Sequence, residues 1–353
     1  MDTVGPRMLS AGGSLLAQSL SIFDPASPSA SSIVNLAILT LAVAGLIFLV
    51  VEGVLLYSVW RFRDIPSDQA PGDEQPGEPP QVYGSMPIEV AWTAAPTMIV
   101  FFLVLVTTRT LWEVEPNLPQ PAAGDNALFV TVIGHQWWWE YAYETYDGHK
   151  LGFVTANELH IPASDSIPAS DGGTSRPTYL SLESADVCHS YWVPRLGGKV
   201  DLIPGRTNLL VLETKETGLQ LGQCAEFCGA QHANMLIRVI VDPPDEFERW
   251  LASESQPARE DPAVRDGKAA FLAESCINCH AVRGTPARGN YAPDLTHLMS
   301  RDTLASGMIE NTPENLRQWV HDPQAVKPGC LMPAFGLDDR QLDLIVKYLS
   351  ALQ

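Results

Sequence analysis

The rhythm of hydrophobic and polar positions changes along the chain, and each rhythm predicts a different element. Ile33 to Val51 and Val90 to Thr108 are each 19 consecutive uncharged residues, mostly Leu, Ile, Val and Ala in the first. Either run is long enough to cross a hydrocarbon core about 30 Å thick, and its uniform apolarity fits a membrane span better than a buried core helix. Between them Ile65 to Pro80 is rich in Pro, Gly, Asp and Glu, which predicts a connection with little structure. From Ala127 to Tyr143 apolar and polar positions alternate through Val130, Val132 and Gly134, as in a half-buried strand. Thr207 to Thr214 and Met235 to Val241 read as further strands, so a β-sandwich is expected up to about Asp242. Ser164 to Pro177 is a polar insertion, expected as a surface loop.

Pro243-Pro244-Asp245 opens a short helix through Phe247 and Leu251, with Pro at a favoured first-turn position. Ser253 to Pro262 is polar and charged and reads as a hinge. Beyond it, Val264 to Glu274, Pro313 to His321 and Asp338 to Leu349 show the three-and-four spacing of helices, and Asp338 with Gln341 resembles a capping box. Residues 1–32 hold one short apolar patch, Leu15 to Leu20, and a single positive charge, Arg7. A cleaved signal peptide is one reading of this segment; direct insertion by the first span is the other.

Candidate chemistry concentrates at two places. Cys224-Ala-Glu-Phe-Cys228-Gly-Ala-Gln-His232-Ala-Asn-Met235 puts two thiols, an imidazole and a thioether into twelve residues. Soft sulfur with imidazole is a copper set, and the second Cys suggests two coppers bridged by both thiolates, with another His still required. A disulfide, or zinc held with His189 and His232, is the competing use of the pair. Cys276-Ile277-Asn278-Cys279-His280 is the signature of covalent c-type haem attachment, with His280 as proximal ligand. A thioredoxin-like reading of Cys276 and Cys279 lacks a surrounding βαβ unit. Cys188 and Cys330 are left over, each beside one of these sites, as independent buried thiols or as a disulfide between domains.

Asp186 to Pro194, which contains His189, Lys199 to Arg206, and Gly134-His135-Gln136-Trp137-Trp138-Trp139-Glu140-Tyr141 join the Cys224 motif in resembling subunit II of haem–copper cytochrome c oxidases. The resemblance implies a cupredoxin sandwich in which His189, Cys224, Cys228, His232, Met235 and the backbone carbonyl of Glu226 hold a binuclear copper-A centre of two Cu. It implies that the Glu226 carboxylate faces a magnesium shared with subunit I, that electrons enter at Trp137, and that Glu89 lies where protons enter a channel into subunit I. Lys327-Pro-Gly-Cys-Leu-Met332-Pro333 resembles the loop presenting the distal Met of small cytochromes c, which makes Met332 the sixth haem ligand ahead of Met299, Met308, His297 and His321. Gly267 to Phe271 and Ala292 to Leu298 resemble the cytochrome c domains fused to such subunits.

A multidomain membrane protein is therefore expected, with an N-terminal segment 1–32, a two-helix transmembrane hairpin 33–112 (about 33–60 and 89–112) and a cupredoxin-like β-sandwich 118–242. A helix and linker 243–262 and an all-α cytochrome c domain 263–353 complete it. The implied function is that of a caa-type oxidase subunit II, passing electrons from one covalent haem c through copper A to haem a for dioxygen reduction coupled to proton pumping. A copper-A and haem c subunit of a nitric oxide reductase is the alternative. Implied partners are subunit I with its haem a and copper B, subunit III, an upstream respiratory donor and the bilayer.

Charge narrows the list of partners. The chain carries 22 Lys and Arg against 41 Asp and Glu, a net charge of −19, which excludes nucleic acid. Two spans leave both chain ends on one side. Haem attachment and copper belong on the outer, periplasmic face of a bacterial inner membrane, so the loop Arg61 to Pro87 is cytoplasmic, and Arg61 and Arg63 agree with the positive-inside rule. Glu52, near the cytoplasmic end of the first span, is expected to pack against subunit I. The haem domain is expected to act on its tether, which supplies an effective concentration of order mM.

Overall fold

The computed structural model describes residues 21–63, 83–115, 124, 126–164 and 176–353. The possible leader patch, the loop Ile65 to Pro80 and most of the insertion from Ser164 lie outside the described residues. The chain divides into two compact units, Ser32–Glu115 and the rest.

The smaller unit consists of two helices, α1 (Pro28–Arg61, its first residues belonging to the larger unit) and α2 (Met86–Val114). Their most apolar 18-residue windows have no buried residue in the isolated chain, the pattern of a surface made for lipid rather than water. Ser32 Oγ donates to Glu113 Oε2 at 3.2 Å, and Arg109 Nε donates to Glu113 Oε1 at 2.8 Å, so the start of α1 lies beside the end of α2. Glu89 stands in the first turn of α2, where its Oε1 accepts from Ser85 N at 3.2 Å, satisfying a donor near the helix start.

The larger unit opens with a sandwich. One sheet has the order β3 (His149–Ala156), β2 (Trp138–Tyr146), β1 (Leu128–His135), β5 (Thr178–Ser184), β8 (Asn208–Leu212). The other has β4 (Glu158–Pro162), β10 (Leu236–Asp242), β9 (Gly218–Cys224), β6 (His189–Trp192), β7 (Val200–Leu202). β1 pairs with β5 and β4 with β10 in parallel; the other neighbours are antiparallel. Alternation along β2 turns Trp139, Tyr141 and Tyr143 into the core, against Leu180, Leu182, Tyr191 and Val239. The single strand expected over Ala127 to Tyr143 is in fact a hairpin. β1 ends at His135, β2 starts at Trp138, the two residues pair, and the intervening Gln136–Trp137 peptide is cis.

After the sandwich come α3 (Pro244–Glu254), α4 (Arg265–Ala273), α5 (Cys276–Cys279), β11 (Thr303–Leu304), β12 (Ile309–Glu310), α6 (Pro313–His321), α7 (Pro323–Val326) and α8 (Asp339–Leu349). Phe271, Leu316, Leu342, Ile345 and Leu349 form a second core, and the short β11–β12 ladder is an addition to the helical pattern. The segment read as a hinge is pinned instead. Phe247 and Leu251 of α3 lie in the sandwich core, whereas Glu254 Oε1 accepts from Ser300 Oγ at 2.9 Å and Glu254 O accepts from Arg283 Nη2 at 2.6 Å. Ala258 N also donates to Arg283 O.

Candidate metal and haem sites

Two neighbouring strands bring the first pair of sulfur and nitrogen donors together. His189 opens β6, Cys224 closes β9, and the strands pair antiparallel at Tyr191 and Cys224. The segment after Cys224 folds back so that Cys224 N donates to Met235 O and Ala225 N to Ser190 O, both at 3.0 Å. Six donors converge as a result. Cys224 Sγ lies 3.9 Å from His189 Nδ1, 3.2 Å from Glu226 O and 3.8 Å from Cys228 Sγ. Cys228 Sγ lies 3.6 Å from His232 Nδ1 and 3.9 Å from Met235 Sδ. Both cysteines, His189 and Met235 are buried, whereas Glu226 and Phe227 are exposed at the loop tip.

The electrostatics favour a thiolate. The hydrogen bond with the Cys228 thiol pulls Cys224 well below the usual thiol range against its burial, and the same partnership pushes Cys228 up. Burial would lower His189, but its bonds to Asp186 and Cys224 hold it above the ordinary imidazole value. Burial likewise opposes ionisation of Asp186, yet donors from His189, Val187 and Gln136 keep its carboxyl low. His189 Nε2 and Asp186 Oδ1 are 2.8 Å apart, which leaves Nδ1 turned to the sulfurs. Room for the ring comes from Gly134, where a Cβ would stand 2.8 Å from His189 Cδ2.

Trp137 adjoins the same loop. Its Nε1 donates to Cys228 O at 3.0 Å, beside Gln136 Nε2 at 2.7 Å. Gly229, at φ +121°, makes the close approach possible, because a Cβ there would lie 2.9 Å from Trp137 Cζ2. Sequence reasoning missed Asp186, Gly134 and Gln136 as working parts. An acidic residue three positions before His189 was the one available signal.

The second site is a cavity in the helical domain. Cys276, Cys279 and His280 line it together with Met332 and Arg301, and so do Gln136, Trp137 and Trp138 of the sandwich. His280 Nδ1 faces Pro293 O at 2.7 Å, which commits that nitrogen as donor and frees Nε2; burial holds the ring below its ordinary pKa and hence neutral. Gln324 Nε2 donates to Cys330 O and Met332 O at 2.9 Å and so fixes the loop of Met332. Met299, Met308, His297 and His321 do not line the cavity. Cys188 and Cys330 are both free, and Cys188 is exposed, contrary to the expectation of buried thiols.

Comparison with known proteins identifies the parts in the same order. The family "Cytochrome C oxidase subunit II, transmembrane domain" matches residues 16–109, its periplasmic domain 128–241, and "Cytochrome c" 264–353. Cytochrome c oxidase subunit 2 of Alkalihalophilus pseudofirmus is 33% identical over 344 residues, 97% of this chain and 93% of the relative. The chain belongs to the cytochrome c oxidase subunit II family. The subunit 2 of Bacillus sp. strain PS3 is 34% identical over 291 residues, 78% of this chain and 77% of its own length. The periplasmic domain of cytochrome oxidase subunit II from Bradyrhizobium japonicum is 30% identical, covering 39% of this chain and 96% of that one, with a TM-score of 0.31.

As a subunit II, the protein is part of a haem–copper oxidase, an oxidoreductase complex in which it pairs with subunit I. Its two apolar helices anchor it in a membrane, and its sandwich is the outer-face domain. The residues present fit the cofactors of its two domain families. Zinc would use four donors and leave a thioether and a carbonyl without purpose, whereas thiolate, imidazole and thioether together suit copper. In the other site Arg301, half-buried and tied through Nη2 to Asp294 O, has a buried Nε without a hydrogen-bond partner among the described residues, a donor suited to the acidic edge of a haem.

Proposed function

We propose that the protein is subunit II of a caa-type cytochrome c oxidase. In this reading it passes electrons from its own haem c through copper A to haem a of subunit I, where dioxygen is reduced to water and protons are pumped. The observation carrying this reading is that Trp137 borders both sites, donating to Cys228 O while lining the haem cavity. Cys276 and Cys279 would hold the haem covalently, and His280 and Met332 would ligate its iron. His189, Cys224, Cys228, His232, Met235 and the carbonyl of Glu226 would hold two coppers, and the exposed Glu226 carboxylate would serve a magnesium at the subunit I interface. Bound there, the coppers and the haem iron would supply reversible one-electron chemistry.

The chain's own residues do the rest. Asp186 accepts a hydrogen bond from His189 Nε2–H, so Nδ1 stays available. Gln136 and Trp137 hold the Cys228 carbonyl, and Trp137 is the point where electrons cross into the sandwich. Glu89 is where protons enter toward subunit I. The domains run 1–32, 33–112, 118–242, 243–262 and 263–353, in a bacterial inner membrane with copper and haem outside and subunit III in the complex.

A reduced-minus-oxidised optical spectrum of the complex, purified through a tag after Gln353, tests this reading. Haem c with haem a bands is the expected result. Haem c with haem b would instead indicate the nitric oxide reductase subunit, and haem c alone would reject the oxidase assignment for the isolated complex.

A further inference from the structure

We propose that Lys327 is a positioning residue for electron transfer, tying the Met332 loop to the copper-side loops so that the haem domain works docked rather than as a tethered shuttle. Lys327 is 3% exposed. Its Nζ donates to Trp137 O at 2.8 Å, Asn234 O at 2.9 Å and Ala305 O at 3.0 Å. An ammonium has three donors, and here each meets a carbonyl from a different segment, two of them in the sandwich. Burial pushes its pKa down to about 8, and no carboxylate offsets its charge among the ion pairs of the described residues. The cost of burying a lysine is met by the geometry of three chain segments, and that geometry exists only when the domains are together.

The neighbouring contacts extend the tie on both sides. Gln231 Nε2, from the copper loop, donates to Pro328 O at 2.6 Å. Leu236 N donates to Ser306 O at 3.3 Å. A second buried anchor stands apart from these. Glu158 of β4, 3% exposed, accepts from Asp302 N and Thr303 N at 2.9 Å and from Thr303 Oγ1 at 2.6 Å, and pairs with Arg238 Nε at 3.2 Å. A shuttle that undocked at each turnover would cost Lys327 its two sandwich acceptors, Trp137 O and Asn234 O, and would cost Glu158 its donors at Asp302 and Thr303, leaving Lys327 only Ala305 O and Glu158 only Arg238 each time. Lys327 is the closer of the two anchors to the proposed electron path in sequence, since its acceptor Trp137 also donates to Cys228 O and it lies five residues before Met332.

The inference rests on the electron route proposed above, and its test separates the two. In the purified holo-complex, haem c is reduced by a light flash and its reoxidation by copper is followed in the native protein and in Lys327→Met. The variant is expected to transfer at least about tenfold more slowly, because misplacement by even about 1 Å is costly for a positioned reaction. Its haem c spectrum is expected to be unchanged, whereas loss of a buried cation lining the cavity lowers the haem potential, which favours transfer to copper and so cannot itself slow it. Hydrogen exchange should quicken at 136–138, 234–236 and 303–306. An unchanged rate with unchanged exchange would overturn the role of Lys327, whereas no haem-to-copper transfer in the native complex would overturn the route itself. If Lys327→Met loses its haem, a protease site placed at Arg259–Glu260 in the native chain takes its place. After cleavage the haem domain is expected to stay with the anchored half, and its release would sink the docked arrangement.

Discussion

His189 owes its orientation to two residues that are not ligands: Gly134, which leaves room for the ring, and Asp186, which accepts from Nε2. Removing such an acceptor from a metal-bound imidazole weakens metal binding by about 10–100-fold, so Asp186→Ala should lose copper to a competing chelator at correspondingly lower chelator concentration. Gly229→Ala should destabilise by about 1–3 kcal/mol, because its φ of +121° disfavours a side chain and the new Cβ meets Trp137. Thermal unfolding of the complex measures that loss, and the Trp137 fluorescence environment should shift with it. At this scale the sequence was most legible where side-chain chemistry is distinctive. Cys, His and Met at set spacings announce a site, whereas Lys327 and Gln136 bind backbone carbonyls, acceptors that every residue carries and no letter marks.

Elements were legible in proportion to the length and regularity of their pattern. The two apolar runs and the amphipathic α8 were plain, and the Asp338–Gln341 capping box closes as the sequence suggests, with Asp338 Oδ1 accepting from Gln341 N at 2.8 Å. Asp338→Ala should therefore lower the stability of the haem domain by about 1 kcal/mol in denaturant unfolding followed by haem absorbance. The strands were harder to read. The β1–β2 connection uses Gln136 and Trp137, not the Asn, Asp or Gly that mark a two-residue turn, so two strands looked like one. β4 and β6 are short and buried, and β4 pairs with β10 and β6 with β9, partners distant in the chain. The hinge was misread because polar composition suggested solvent, while Glu254 in fact buries its carboxylate against Ser300.

Across the whole molecule, the copper loop is held by protein contacts that exist without metal: Cys224 N to Met235 O, Ala225 N to Ser190 O, and two side-chain donors on Cys228 O. Copper-depleted protein should therefore keep its sandwich folded, with unchanged far-UV circular dichroism and a Tm lowered only by the lost binding free energy, while transfer from haem c stops. The joint between sandwich and haem domain should be far less tolerant. Glu158→Ala leaves the buried Arg238 with only the exposed Asp302 at 3.3 Å, so it should cost no more than about 3 kcal/mol, and it should expose the 302–306 segment to exchange. The order of the domains was readable from motifs; their docking was not, because it depends on single buried polar groups facing each other across the fold.

The cavity shared by Cys276, Cys279 and Trp137 also sets a timetable for biogenesis. The enzyme that joins haem to the two thiols must reach them before Trp137 and Lys327 cover that side. On the proposed reading, haem ligation is therefore expected to precede closure of the C-terminal domain onto the sandwich. A chain that fails haem ligation would, on the same reading, leave exposed the surfaces around Trp137 and Lys327 that the joint otherwise buries.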